Sequence, residues 1–208
     1  MNIEQNLDTG ARKPGRWLLP VLLAIFVAPL VAAWVLYLNI DRWQFGTTNH
    51  GEFIKPARQL TMAPLPLPLA GGTLSPDYFK GRWTLVYMSA PFCNADCQEA
   101  LYVTRQVLYA MGQKIGAVQR LYLVTGTPGD PVKLLRLHPD LTVADIAVPG
   151  GQIFGEQFSR DGGVAAEAGK FIYLVDPRGF YIMRYPINGN PRGLLKDLQH
   201  LLGEGGGI

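Results

Sequence analysis

Cysteine is scarce in this 208-residue chain: Cys93 and Cys97 are its only two. Histidine is nearly as rare, with His50, His138 and His200 scattered along the sequence. Without a second cysteine pair, a structural zinc centre has no ligand set. Charge of one sign is lacking too. The 19 Lys and Arg against 16 Asp and Glu leave a net charge of +3, and the basic residues form no run interleaved with aromatics, so nucleic acid is excluded as a partner. No G-x-x-x-x-G-K-[ST] stretch occurs; Gly126-Thr-Pro-Gly129 is a connecting loop, not a phosphate cradle. No spacing of Ser, His and Asp argues for a hydrolase triad, and there is no internal repeat. The 24 Gly and 16 Pro are spread out, so the chain is not of low complexity, and its 48% apolar residues suffice for a core.

Charge is missing altogether from Trp17 to Leu38. A helix of that length rises about 33 Å, enough to cross a bilayer core. Pro20 and Pro29 are tolerated in a membrane helix, and Trp17, Trp34 and Tyr37 suit the two interfaces. Arg12, Lys13 and Arg16 precede the span with no acidic residue close to it, which keeps the N-terminus in the cytoplasm. The competing reading is a cleaved signal peptide, with Ala32-Ala33 resembling a cleavage site, although the apolar region is long for one. Both readings export the rest of the chain to where disulfides form. The expected organisation is a cytoplasmic N-terminus (1–16), a transmembrane anchor (17–40), a linker (41–68), a folded domain (69–203) and a disordered tail (204–208). In a bacterium this is a single-pass inner-membrane protein with its C-terminal domain in the periplasm.

Within the linker, prolines at 64, 66 and 68 favour extended chain. Asn49-His-Gly51 is a turn signal that leaves His50 exposed. Gly71-Gly72 closes a small hairpin between Leu65–Leu69 and Thr73–Leu74, and Ser75-Pro-Asp77 opens a helical turn. Beyond it, Trp83–Ser89 reads as a buried strand stopped by Pro91. The spacing of Leu101, Thr104, Leu108 and Met111 predicts a helix over Asp96–Met111, with Asp96 as its cap and Glu99 three residues on. Val118–Thr125 is a second strand, Pro131–Leu137 a short helix and Leu141–Val148 a weaker strand. Phe171–Asp176 and Phe180–Tyr185 form a hairpin around Pro177-Arg-Gly179, and Asn190 caps a last helix whose stripe is Leu194, Leu195, Leu198, Leu201 and Leu202. The order gives an α/β fold: a thioredoxin-like mixed sheet with helices on both faces, preceded by one N-terminal transmembrane helix.

Both cysteines fall in the turn between the first strand and the first long helix. A thiol there sits near unpaired N–H groups and the positive end of the helix dipole, which favours its thiolate. A spacing of four lets two sulfurs meet across one turn, as a disulfide or as two ligands of one soft metal ion. A static structural disulfide is the bland alternative.

Lys80-Gly-Arg-Trp-Thr-Leu-Val-Tyr87, Cys93-Asn-Ala-Asp-Cys97 and Phe171-Ile-Tyr-Leu-Val-Asp-Pro-Arg-Gly179, together with the N-terminal span, resemble Sco/SenC proteins. Asn49-His-Gly-Glu-Phe-Ile54, Leu121-Tyr-Leu-Val-Thr125 and Met183-Arg-Tyr-Pro186 are similar to short Sco-like proteins of bacterial oxidase assembly clusters. The resemblance implies a membrane-anchored thioredoxin-fold protein that assists the copper site of cytochrome c oxidase, with subunit II or another assembly factor as partner. Copper-binding Sco proteins add a histidine shortly before the Tyr-Leu-Val-Asp-Pro strand. Asp161-Gly-Gly-Val-Ala-Ala-Glu-Ala-Gly-Lys-Phe171 has none, and Gln98 stands after Cys97 where those members usually have Pro.

Three mechanisms follow. In the first, a thiol–disulfide oxidoreductase, Cys93 attacks a partner disulfide and Cys97 resolves the mixed disulfide. In the second, a non-enzymatic chaperone, Cys93 and Cys97 are metal ligands that hold copper as Cu(I) between two sulfurs. In the third, the protein is a scaffold with structural cysteines. A thiol peroxidase is disfavoured because Ala90 stands three residues before Cys93. His138 and Arg105 read as solvated, Glu99 as part of the helix start, and His200 as exposed or packed on the last helix.

Overall fold

The computed structural model describes residues 17–38, 49–159 and 168–204. The expected cytoplasmic N-terminus, the first part of the expected linker and residues 205–208 of the expected tail lie outside them. The chain divides into two units, Met1–Thr47 and Thr48–Ile208. In the first, α1 (Leu18–Leu38) is a helix of 21 residues with Pro29 inside it, and Pro20–Leu38 is long and apolar enough to span a membrane.

The second unit is built on a six-stranded sheet. Its strands are β1 (Glu52–Gln59), β4 (Trp83–Ser89), β5 (Val118–Val124), β6 (Leu141–Asp145), β7 (Phe171–Val175) and β8 (Phe180–Pro186), in the order β1-β8-β7-β4-β5-β6. A separate hairpin pairs β2 (Leu65–Pro66) with β3 (Thr73–Leu74). Strands β4, β5 and β6 are parallel, while β7, β8 and β1 run antiparallel to their neighbours. The parallel β4–β5 pair needs a crossover, which α2 (Ala95–Ala110) and a 3-10 turn (Gly112–Ala117) provide. The remaining helices are α3 (Pro131–Leu137), α4 (Pro149–Glu156) and α5 (Pro191–Glu204).

Strand alternation sorts the core into two layers. Leu85, Tyr87, Tyr122, Val124, Ile172, Leu174 and Met183 face α2 and α5, meeting Leu101, Val107, Leu194 and Leu198. Val86, Met88, Leu121, Leu123, Tyr173 and Tyr181 face the other way, against Phe79, Phe154 and Phe158. The central strands β4, β5 and β7 are covered on both sides, which is why they read as continuous apolar runs. The mixed sheet with helices on both faces is as expected.

Four expectations need correction. Residues 52–59, read as linker, form the edge strand β1, antiparallel to β8. The strand is exposed along most of its length, so it carries no apolar alternation, and its register breaks between Phe53 and Arg58, where Pro56 cannot donate to a ladder. Residues 149–156, read as no element, form α4. Its three glycines argue against a helix, but Phe154 and the following Phe158 are buried in an aromatic cluster with Tyr173 and Tyr181 that outweighs propensity. The third strand stops at Asp145, whose carboxylate accepts from the N–H groups of Gly126 and Ala147, and Glu204 belongs to α5 rather than to a tail.

Candidate functional site

The β4–α2 turn puts Cys93 and Cys97 at the start of α2, joined as a disulfide with Cα atoms 5.1 Å apart. The cap is Asn94, not Asp96. The Asn94 side-chain oxygen accepts from the Cys97 N–H at 3.0 Å, and its backbone carbonyl accepts from Gln98 N. Asn in extended backbone just before the first helical residue satisfies an otherwise orphaned donor. Asp96 and Glu99 lie exposed in the first turns.

The two sulfur environments differ. Cys97 is 1% exposed, packed in the α2-facing core layer. Cys93 is half-buried and lines a groove of 640 Å³. The groove runs between α2 and the loop leading into α3; Leu101 and Tyr122 lie along it with Tyr102 and Leu134, and Arg105 and His138 mark its far part. Phe92, next to Cys93, is 83% exposed. The Gly129 N–H donates to Pro91 O at 3.2 Å, and a Cβ at Gly129 would come within 3.3 Å of the Phe92 ring, so glycine lets that loop close over the turn.

Beneath Cys97 lie two hydroxyls that the sequence reading missed. Ser89 Oγ is 3.5 Å and Tyr122 Oη 3.6 Å from Cys97 Sγ, and the two oxygens are 2.7 Å apart. Ser89 Oγ also reaches Ala90 O at 3.0 Å. Burial raises the Tyr122 pKa, so it stays a hydroxyl and a donor. The Tyr87 ring stacks on Tyr122 with centroids 5.9 Å apart, and burial raises its pKa as well. The available signal was strand parity: β4 and β5 pair Tyr87 with Tyr122, so Tyr87, Ser89 and Tyr122 share the face that carries the cysteine turn.

Of the other singled-out residues, His138 and Arg105 leave their expected places. His138 is buried: Arg120 Nη2 donates to its Nδ1 at 3.4 Å, which leaves the proton of the neutral ring on Nε2. Burial, with the Arg120 and Arg105 charges, lowers its pKa to about 4. Arg120 is itself 1% exposed, and donates to Thr104 Oγ1, Leu101 O and Asp140 Oδ2, tying β5 to α2 and to the turn before β6. Arg105 is half-buried; its Nη1 donates to Leu137 O and its guanidinium lies over the Tyr102 ring. His50 is exposed as expected, and the buried Asp197 holds its N–H and its ring. His200 is exposed on α5. Among the described residues no group of three or more His, Cys, Asp or Glu is placed to hold a metal ion.

The comparisons agree with this architecture. A family model described as a transmembrane-like, thioredoxin-like, C-terminal domain matches residues 83–203. None of the curated proteins compared matches the chain. Among solved structures it is similar to yeast Sco1 with copper bound (TM-score 0.57, 16% identity, covering 70% of this chain and 94% of that one). It is equally similar to apo Sco1 from Thermus thermophilus (TM-score 0.57, 16% identity, 76% and 99% covered). A third is BsSco, described through its disulfide switch and as a member of the Sco family of cytochrome c oxidase assembly proteins (TM-score 0.52, 16% identity, 71% and 96% covered). At these identities the likeness is one of fold.

Proposed function

We propose, from the premise that this chain belongs to the family of transmembrane-like, thioredoxin-like C-terminal domains, that it is a membrane-anchored thiol–disulfide protein assisting copper-site assembly of cytochrome c oxidase. The observation that carries the reading is the asymmetry of the two sulfurs. One opens on a groove and the other is sealed beneath it beside two hydroxyls. That is the division of labour between an attacking and a resolving cysteine.

In the reduced protein the Cys93 thiolate attacks a partner disulfide. A Cys93–partner S–S bond forms, and the electron pair of the broken bond leaves on the partner's second sulfur. Cys97, deprotonated, then attacks Cys93 Sγ, forming the Cys93–Cys97 disulfide found here and releasing the partner's first sulfur as thiolate. The partner gains two electrons and the pair loses two; a dithiol reductant on the same side of the membrane restores it. The N–H groups at the start of α2 favour the thiolate of Cys93. The partner in this reading is the cysteine pair of oxidase subunit II, the side is the periplasm, and the anchor is α1.

A second reading makes copper the cargo. It is favoured by the copper-bound yeast Sco1 of the same fold. Two thiolates from Cys93 and Cys97 suit Cu(I), whereas the described residues offer no third ligand to suit Cu(II). Cysteine substitution separates the readings. The thiol reading expects Cys97→Ser to accumulate a covalent adduct with the partner that reductant dissolves, seen on a non-reducing gel. The cargo reading expects no adduct, and stoichiometric Cu(I) on the reduced wild-type protein that is lost in Cys93→Ser.

A further inference from the structure

The groove beside Cys93 extends well past the sulfur, and nothing in the exchange chemistry itself requires that length. Its lining changes character along the way. Exposed Glu99 and Asp130 flank the end nearer Cys93. Tyr102, Leu101 and Leu134 supply the apolar middle, and Arg105 stands at the far part. From Ala95, two residues after Cys93, to Arg105 α2 rises about 15 Å. A small thiol would fill only the first part of such a trough, whereas about five residues of extended chain would cover it.

Arg105 has donors to spare. Among the described residues its guanidinium makes one hydrogen bond, from Nη1 to Leu137 O, which leaves Nη2 uncommitted while Nε is buried. The Leu137 contact and the Tyr102 ring hold the guanidinium across the gap between α2 and α3, so its position is set before any ligand arrives and little is lost in ordering it. Lys133, exposed on α3, is the other cation along the groove, while Arg120, outside the lining, is engaged by Thr104, Leu101 and Asp140. His138, with its pKa at about 4, is neutral there near pH 7.

We propose that this groove is a substrate-segment site with two fixed points. It takes an extended stretch of a partner protein whose disulfide cysteine lies at Cys93, whose middle residues are apolar, and which carries a carboxylate about five positions from that cysteine, paired with Arg105. The inference rests on Cys93 being the attacking sulfur and adds the kind of chain that it attacks.

The test uses the full-length reduced Cys97→Ser protein and ten-residue peptides whose single cysteine is activated as a mixed disulfide with thionitrobenzoate. One peptide carries Glu five positions from the cysteine and a second carries Lys there; Ellman's reagent is the small control. The glutamate peptide is expected to react about tenfold faster than the lysine peptide, a difference of about 1.4 kcal/mol. Arg105→Glu should reverse that order. Tyr102→Ala should slow both peptides, and Ellman's reagent should react alike with every variant. Equal peptide rates that ignore Arg105 and Tyr102, with Ellman's reagent still reacting, overturn the groove assignment and leave the thiol reading standing. A Cys93 inert even to Ellman's reagent overturns both.

Discussion

Cys93 and Cys97 are four residues apart and bonded to one another, yet they meet different surroundings. Cys97 loses its water to the α2-facing core, and its sulfur meets the Ser89 and Tyr122 hydroxyls. A buried sulfur that must carry charge on reduction is stabilised by donors that cost no charge of their own. The sequence made the cysteine turn legible because a strand, a proline and a helix start leave little else it could be. It did not show the hydroxyls, because Tyr122 lies on another strand and only β4–β5 pairing brings it near. His138 failed for the same reason: its neighbours Arg120 and Arg105 come from β5 and α2. Its pKa in the fold, about 4, lies below the ordinary value of 6.5. Between those values the unfolded chain binds a proton that the folded chain refuses. The stability that neutral His138 contributes is therefore complete above about pH 6.5 and is lost as pH falls toward 4. His138→Gln should flatten the fall in unfolding midpoint between pH 7 and pH 4.5 relative to wild type, by on the order of 2 kcal/mol; denaturation at the two pH values reads it.

Among the elements, β1 and α4 were hidden by the same physics. Each is held by groups far off in sequence rather than by its own pattern. The start of β1 is fastened by Asp197 of α5, a buried carboxylate that accepts from the N–H groups of His50 and Gly51, from the His50 ring and from Tyr185 Oη. Gly51 is required there, because a Cβ would come within 2.5 Å of the Tyr185 ring. At the other edge of the sheet, α4 lies so close to the end of β6 that a Cβ on Gly151 would meet Ile146 Cα at 2.5 Å. Periodicity cannot report either contact, whereas it did place β4, α2, β5, β7, β8 and α5 within a residue or two. Asp197→Ala leaves two buried backbone donors and the Tyr185 hydroxyl without their acceptor, so it should cost about 3 kcal/mol. Hydrogen exchange should locate the loss at residues 50–53 and the β8 strand they pair with, while the amides of β4 and β5 change less. Uniform loosening of the whole sheet would show that the carboxylate holds more than this edge.

At the level of the whole molecule, the chain consists of an apolar helix long enough to cross a membrane and a thioredoxin-like unit that carries a single disulfide. Composition and order were enough to read both parts, since an uncharged stretch of that length and a βαβ start followed by a hairpin each have few alternatives. What separates a working thiol pair from a structural staple is how readily the bond is reduced. One sulfur at the mouth of a groove and a partner sulfur supplied with hydroxyl donors both favour the reduced state over that of a buried staple. Equilibrating the full-length protein against dithiol buffers of graded potential, with the Cys93–Cys97 bond quantified by thiol labelling, measures this directly. A midpoint above about −300 mV is the expected result; a midpoint well below it, in the range of structural disulfides, would contradict a role in thiol exchange.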